Sequence, residues 1–159
     1  TLAGTEMYQR FLSDFDPTTL NLDICYPGIG AMKKKIEESF NTIDPSGKAG
    51  AECWADYKHK LEKWHAHRND FEAVLKDWKS LRAELAKETR SSKVILQILE
   101  TVGAPVRWSQ LEPAVNEKQA RFAFLNASLM RKRLTLGDLV IFMNWDRESL
   151  WKQIWKQYA

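Results

Sequence analysis

The sequence predicts an all-α protein, a multi-helix bundle, and three observations support that prediction. Apolar residues recur at steps of three and four along most of the chain, no segment alternates convincingly at a period of two, and helix start and stop signals flank the periodic runs. The chain has 159 residues, of which 44% are hydrophobic and 28% are charged. That length can bury a hydrophobic core without disulfides, so we expect a single helical domain over residues 1–159.

The first part of the chain predicts two helices separated by a loop. A helix over about residues 3–14 stops at Asp16-Pro17, because proline does not continue a helix. Proline and glycine residues mark residues 21–30 as a loop, and a second helix follows over about residues 29–41. The residues Asp44-Pro45-Ser46-Gly47 then predict a turn.

The middle of the chain predicts a long amphipathic helix and a further helical segment. Apolar residues repeat at helical spacing over about residues 50–68, and the stripe breaks or shifts phase at about residues 68–70. It then resumes as a further segment that reaches Leu85. The stripe consists of Trp54, Tyr57, Leu61 and Trp64, then Phe71, Val74, Leu75, Trp78, Leu81 and Leu85.

The last part of the chain predicts four helices with recognisable ends. Gly103, with Pro105 just beyond it, ends the first of them, and the second continues to about Met130. Asp138 lies three residues into the third, where a carboxylate favours the helix N-terminus. The predicted N-caps are Ser91 or Ser92, Asn116, Thr135 and Asp146.

The seven tryptophans are the outlier in composition. Five of them lie at core-like helical positions, which indicates packing and not a cofactor site. They are Trp54, Trp64, Trp78, Trp151 and Trp155. Trp108 lies in a loop, where it either packs against the neighbouring helices or is exposed for a partner, and we favour the first.

The first residues predict an exposed apolar face. Leu2, Met7 and Phe11 follow a helical pattern from the start of the chain, which begins at Thr1 without methionine. Either Met removal preceded a short native start, or the chain is a piece of a longer polypeptide, and we favour the second. A bare face around these residues would promote association, so we expect a homo-oligomer.

Charge and cysteine content limit the classes of partner. The net charge of +3 is interspersed along the chain and not concentrated, so we expect no nucleic-acid partner. No apolar run reaches the length of a membrane span, so we expect no membrane partner. Cys25 and Cys53 are too few for a disulfide framework, which indicates a reducing compartment, the cytoplasm.

The sequence supplies no catalytic, cofactor-binding or metal-ligating residue that we can assign. His59, His65 and His67 do not lie at helical ligand spacing from one another. Asp56 and His59 do have that spacing but lack a third ligand, so we interpret the histidines as polar-face residues. There is no Gly-rich phosphate loop, no Cys-x-x-Cys pair and no Gly-x-Ser-x-Gly elbow, and we expect no cofactor in this chain.

The basic turn Arg131-Lys132-Arg133 is the best candidate for contact with an anion. It precedes the N-cap Thr135, and a helix N-terminus also attracts anions. The alternative is a solvated helix C-terminus, where cations are stabilised by the helix dipole. Arg131 and Arg133 are therefore candidate anion contacts and not assigned ligands.

Four segments show a resemblance to a known family. In chain order they are Ile43–Gly47, Gly50–Tyr57, Ile98–Pro105 and Asn126–Leu139. In them the chain resembles the C-terminal region of the glycerol-1-phosphate dehydrogenase family, the arabinose-operon type relatives of iron-containing alcohol dehydrogenases. The resemblance covers about residues 2–155 in order.

The resemblance implies a two-domain enzyme of which this chain is the C-terminal helical domain. An N-terminal domain of the same polypeptide would bind NAD(P), and the cleft would hold a divalent metal, zinc or similar, which polarises the substrate carbonyl. The reaction would be hydride transfer between a phosphorylated small molecule, a ketone phosphate, and its alcohol. The alternative is a stand-alone helical interaction module without catalytic activity.

The chain also departs from the family pattern. The family holds its metal with an aspartate and two histidines, one of them in a His-Gly pair, and no His-Gly occurs here. The family often has histidine where Ser128 stands and aspartate where Lys132 stands. We therefore expect the metal ligands to precede Thr1, and the chain alone to be inactive.

Overall fold

The computed structural model describes residues 1–158, and within them it has nine α-helices and no strand. The prediction of an all-α protein is confirmed. The helices are α1 (Leu2–Asp14), α2 (Ile29–Asn41), α3 (Lys48–Ala66), α4 (Arg68–Lys76), α5 (Trp78–Glu88), α6 (Ser92–Thr101), α7 (Glu117–Asn126), α8 (Leu136–Phe142) and α9 (Arg147–Tyr158). Short 3-10 helices cover Pro17–Thr19, Leu22–Cys25, Trp108–Gln110 and Ala127–Met130.

The predicted caps begin the helices that the sequence indicated. The Ser91 hydroxyl accepts a hydrogen bond from the Val94 amide at 3.2 Å, and the Asp146 carboxylate accepts one from the Ser149 amide at 2.9 Å. These bonds satisfy amides that the first turn leaves without a helical partner. At the other end of α6, Gly103 has a φ of 67°, a left-handed conformation in which a Cβ would be strained.

Two predicted helices are interrupted, one at a local hydrogen bond and the other beside a long-range one. The segment after residue 70 divides at Asp77, whose amide bonds to the Val74 carbonyl three residues back, and α5 begins at Trp78. The helix predicted through Met130 ends at Asn126 and continues as a 3-10 helix. There the Ser128 carbonyl accepts from the Lys60 ammonium at 2.8 Å, a long-range bond that periodicity does not reveal.

The chain divides into two compact units, each built from separated segments. One unit consists of residues 1–19, 73–124 and 146–159, and the other of residues 20–72 and 125–145. In the first unit, α1 packs against α6 and α9. Its apolar core contains Leu2, Leu150, Ile154 and Tyr158, with Met7, Ile95, Leu99 and Trp108 packed against them.

The predicted bare face on α1 is wrong. Leu2 is 7% exposed and Phe11 is 4% exposed, and Met7 packs against the core of the first unit. Phe11 lies edge-on to Trp78, with 5.3 Å between ring centroids. The apolar residues of α1 are therefore covered by helices of the same unit, and they supply no reason for oligomerisation.

Trp108 packs within the first unit, as we favoured. Its ring centroid lies 6.0 Å from that of Trp151 and 6.1 Å from that of Trp155. Tryptophans brought together from a loop and a helix bury a large apolar area. Trp108 thus fixes the loop between α6 and α7 to α9.

The second unit centres on α3. Its buried residues Tyr57 and Leu61 are fully enclosed, and the Trp64 ring stacks on Phe142 of α8 at 4.8 Å. The Trp64 indole also donates to the Cys25 carbonyl at 2.8 Å. Against α2 the approach is close, because a Cβ on Gly50 would lie 3.1 Å from the Cα of Glu37.

No helix in the part of the chain that the structure describes has the length and apolar character needed to cross a membrane.

Candidate functional site

A buried lysine of α3 is the centre of the most unusual polar cluster in the second unit. Lys60 is 4% exposed, although a charged side chain is almost never fully buried unless it is paired. Its Nζ atom lies 2.7 Å from Oδ1 of Asp138 and donates to the Ser128 carbonyl at 2.8 Å. The same atom lies 4.2 Å from the ring centroid of Tyr57. Lys60 thus joins α3 to α8 and to the 3-10 helix Ala127–Met130.

Asp138 is fully buried at the start of α8, and each of its two carboxylate oxygens has its own partners. Its Oδ2 atom accepts hydrogen bonds from the Thr135 amide at 2.7 Å and from the Thr135 hydroxyl at 2.9 Å. Its Oδ1 atom faces Lys60. The carboxylate therefore caps the helix and neutralises the buried ammonium at once.

Burial sets the protonation behaviour of Lys60. Desolvation lowers the pKa of the Lys60 ammonium below its ordinary value, and the hydrogen bond and charge of Asp138 oppose that shift. A lysine with a lowered pKa is sometimes a nucleophile or a base. Here the side chain is only 2% exposed and its donor directions face Asp138, Ser128 and Tyr57, so we interpret the pair as structural.

Sequence reasoning missed Lys60, although a signal was present. Lys60 follows Tyr57 by three residues and precedes Trp64 by four, so it lies on the apolar stripe of α3. A charged residue on an apolar stripe needs a buried partner. The partner, Asp138, was predicted as a first-turn acid of α8, but nothing in the sequence linked the two.

The basic turn Arg131-Lys132-Arg133 forms an exposed loop, the basic loop, whose two ends are fixed by buried residues. Before it, Ser128 and Leu129 are buried, and after it, Thr135 and Asp138 form the cap of α8. Gly137 lets the ends approach closely, because a Cβ there would lie 3.0 Å from the Ser128 Cβ. Lys60 contacts both ends of the loop, the Ser128 carbonyl before it and the Asp138 carboxylate after it, and so holds the two ends together.

Within the loop the three basic residues differ. Lys132 Nζ lies 3.1 Å from Oδ1 of Asp56 on α3. Arg131 and Arg133 are exposed, and within residues 1–158 neither guanidinium has an ion pair or a hydrogen-bond partner. The Asp138 carboxylate already accepts a hydrogen bond at the N-terminus of α8, so it competes with any anion that this N-terminus would attract. Anion contact by Arg131 and Arg133 stays a prediction.

Two of the three histidines, His59 and His67, lie at the surface, whereas His65 is half-buried. His59 approaches Glu62 at 3.5 Å, and His67 approaches Asp70 at 2.7 Å, both at the surface. His65 is half-buried, and its Nε2 atom lies 3.0 Å from the Pro27 carbonyl. In the described part of the chain, no three histidine, cysteine, aspartate or glutamate residues converge as metal ligands. The residues present thus do not fit a metal ion.

An open groove in the first unit is a further concave surface. It has a volume of about 540 Å³ and lies between α1 and the segment that joins α5 to α6. Tyr8, Gln9 and Arg90 are among the residues that line it. The Gln9 side chain is already bonded to the Ser92 amide at 2.8 Å, so it is not free to bind a ligand.

Comparison of the chain with protein-family models, with curated proteins and with solved structures finds no significant match. The resemblance to the glycerol-1-phosphate dehydrogenase family thus depends on the four segments alone.

Proposed function

We propose that this chain is the helical C-terminal part of a metal- and NAD(P)-dependent dehydrogenase similar to glycerol-1-phosphate dehydrogenase. The observation that supports the proposal best is that three of the four resembling segments meet at α3. Asp44, in Ile43–Gly47, accepts from the Ala49 amide in the first turn of α3 at 2.8 Å. Lys60, on the same helix, pairs with Asp138, in Asn126–Leu139, at 2.7 Å.

The proposal assigns this chain a scaffold role. A bound metal would polarise the carbonyl of a ketone phosphate. The residues described here do not fit a metal site, so its ligands and the NAD(P) site would belong to an N-terminal domain of the same polypeptide. The residues of this chain would position the basic loop through Lys60, Asp138 and Gly137. They would also exclude water around the Lys60–Asp138 ion pair.

The reading frame that encodes the chain provides the test. We expect codons upstream of Thr1 to specify a Gly-rich nucleotide-binding domain and a His-Gly pair. The encoded polypeptide should oxidise NADH or NADPH in the presence of dihydroxyacetone phosphate and lose that activity on chelation. The 159-residue chain should show no turnover. A start codon next to Thr1, or an inactive full polypeptide, would contradict the proposal.

The second candidate is a helical interaction module, and an exposed apolar stripe on α6 favours it. Val94, Ile98 and Val102 are spaced four residues apart and are 41%, 42% and 71% exposed. If this stripe is the surface of a homo-oligomer, sedimentation should show self-association that Ile98→Lys abolishes. A monomer at high concentration would rule out self-association through this stripe, whereas it would leave the dehydrogenase proposal unchanged.

A further inference from the structure

We propose that the groove between α1 and the segment joining α5 to α6 binds a free amino acid with a large apolar side chain. Glu88 would contact the ammonium of this ligand and Arg90 its carboxylate. The groove lies within the first unit, whereas the basic loop belongs to the second. The inference goes beyond the proposed function, since the binding requires neither a metal nor a nicotinamide. It depends on the size of the groove, on its fixed walls and on the charges that its residues leave unpaired.

The size of the groove is the first argument. Its volume of about 540 Å³ lies within the range typical of small-molecule sites, about 300–1,000 Å³. Gly4 and Ile95 are among its lining residues and supply apolar surface. Nothing lies within 4 Å of the position that a Cβ on Gly4 would take. The groove therefore has room beside Gly4 for the apolar part of a ligand.

The fixed walls of the groove are the second argument. Helices α1 and α6 pack against each other, and the Gln9 side chain on α1 accepts a hydrogen bond from the Ser92 amide on α6 at 2.8 Å. The Thr89 hydroxyl donates to the Leu85 carbonyl at 2.9 Å, which ties the segment after α5 to that helix. A site whose walls are already in place loses less conformational entropy when a ligand binds.

Unpaired polar groups are the third argument. Glu88 and Arg90 both line the groove, and within residues 1–158 neither side chain has an ion pair or a hydrogen-bond partner. The two charges therefore do not neutralise each other, although they are close in the chain. Tyr8 also lines the groove, and its hydroxyl has no partner in the same part of the chain. A ligand can thus bind these three groups without displacing an existing partner.

The opposite charges of Glu88 and Arg90 identify the class of ligand. A free amino acid carries both an ammonium and a carboxylate at neutral pH. The ammonium is attracted to the Glu88 carboxylate, and the ligand carboxylate matches the planar fork of the Arg90 guanidinium. A ligand with a single charge would satisfy only one of the two residues. The Tyr8 ring, together with Ile95, favours an aromatic side chain on the amino acid.

The first experiment compares L-phenylalanine with two analogues that each lack one charge. Phenylpropionate lacks the ammonium, and phenethylamine lacks the carboxylate. Binding is measured at neutral pH and constant ionic strength from the NMR shifts of the Tyr8 and Gln9 backbone amides. We expect phenylalanine to bind about three- to tenfold more tightly than either analogue. An analogue that binds as tightly as phenylalanine, or an absence of shifts with all three compounds, would overturn the proposal.

Charge variants assign the two contacts. Glu88→Gln should remove the advantage of phenylalanine over phenylpropionate, because the ammonium then has no carboxylate to contact. Arg90→Gln should remove its advantage over phenethylamine, because the ligand carboxylate then has no guanidinium to contact. Glu84→Gln and Arg82→Gln are the matched controls, since both residues are exposed on α5 and lie outside the groove. If the controls weaken binding as much as the groove variants do, surface charge in general is responsible and the proposal is wrong.

A steric variant tests where the amino acid binds. Gly4→Leu fills the open space beside α1, and leucine has a higher helix propensity than glycine, so α1 should be retained. We expect this variant to lose the amide shifts with phenylalanine. Gly30→Leu is the matched control, because Gly30 also has open space around its Cβ position but lies in α2. Circular dichroism checks that the helices of each variant are retained. Phenylalanine binding that is unchanged in Gly4→Leu would show that the groove is not the binding site.

Discussion

At the scale of single residues, the second unit depends on one buried charge. An ammonium group that is removed from water is tolerated only when its partners compensate for the lost hydration. Lys60 has two such partners, the Asp138 carboxylate and the Ser128 carbonyl. The Asp138 carboxylate, in turn, also caps α8, so the two groups depend on each other.

Removal of one partner should therefore be costly. Lys60→Met leaves Asp138 buried without a counterion, and we expect a loss of about 3–5 kcal/mol in the free energy of unfolding, measured by urea denaturation. Lys58→Met is the matched control, because its ion pair with Glu62 is exposed and should contribute less than about 1 kcal/mol. In a double-mutant cycle, Lys60→Met/Asp138→Asn should cost less than the sum of the single changes. Equal effects of Lys60→Met and Lys58→Met would show that Lys60 is not desolvated.

Asp44 gives a prediction about acid stability. Hydrogen bonds from the Ser46 hydroxyl and the Ala49 amide lower the pKa of the Asp44 carboxyl below its ordinary value. The folded state thus favours the carboxylate, and the stability it contributes is complete above the unfolded value of 3.8 and is lost as pH falls through the lowered pKa. We expect Asp44→Asn to be less stable than the wild type at pH 6, with a difference that shrinks towards pH 2.

Titration of Asp44 by NMR provides the control. Ser46→Ala removes the largest cause of the shift, so the pKa of Asp44 should rise towards its ordinary value. If Ser46→Ala leaves the Asp44 titration unchanged, the hydrogen bond is not responsible for the lowered pKa.

At the scale of helices, the ends were predictable and the contacts between helices were not. Ser91 and Asp146 identified helix starts because capping is a local interaction between residues a few positions apart. The same local signals failed at Asn126, where the helix ends because the Ser128 carbonyl bonds to a lysine 68 positions earlier in the chain. They also failed on α1, because an apolar stripe shows that a face needs a partner but not whether the chain supplies it.

The crossing of α2 and α3 depends on the absence of a side chain at Gly50. A Cβ at this position would meet the backbone of Glu37, with its Cα at 3.1 Å and its carbonyl oxygen at 3.4 Å. A backbone cannot rotate out of the way as a side chain can. We expect Gly50→Ala to reduce the free energy of unfolding by about 1–3 kcal/mol in urea denaturation.

Gly30→Ala is the matched control for Gly50→Ala. Gly30 lies in the first turn of α2, and nothing lies within 4 Å of the position that its Cβ would take. Because alanine has the higher helix propensity, this change should stabilise the protein by about 0.5–1 kcal/mol. If Gly50→Ala stabilises the protein as Gly30→Ala does, the close approach of α2 and α3 at Gly50 is not required for the fold.

At the scale of the whole molecule, the order of segments along the chain constrains how it can fold. The second unit takes residues 20–72 from one part of the sequence and residues 125–145 from another. The basic loop belongs to the later segment, whereas Asp56 and Lys60 belong to the earlier one. The sequence indicated the two arginines as an anion contact but could not indicate what holds the loop, because ion pairs between residues 76 and 78 positions apart have no local pattern.

Separation of the two segments should therefore unfold the second unit. A peptide of residues 20–72 has Lys60 but lacks Asp138 and the Ser128 carbonyl, so its α3 would expose an apolar stripe with an unpaired charge. Short helices without tertiary packing are marginal in water. By circular dichroism we expect low helicity for this peptide alone, and a gain in helicity when a peptide of residues 125–145 is added, beyond the sum of the two spectra. The gain should be smaller when the added peptide carries Asp138→Asn, because the buried ammonium then meets a neutral amide. Cooperative unfolding of the 20–72 peptide alone, with the stability of the intact chain, would mean that the Lys60–Asp138 pair is dispensable for folding.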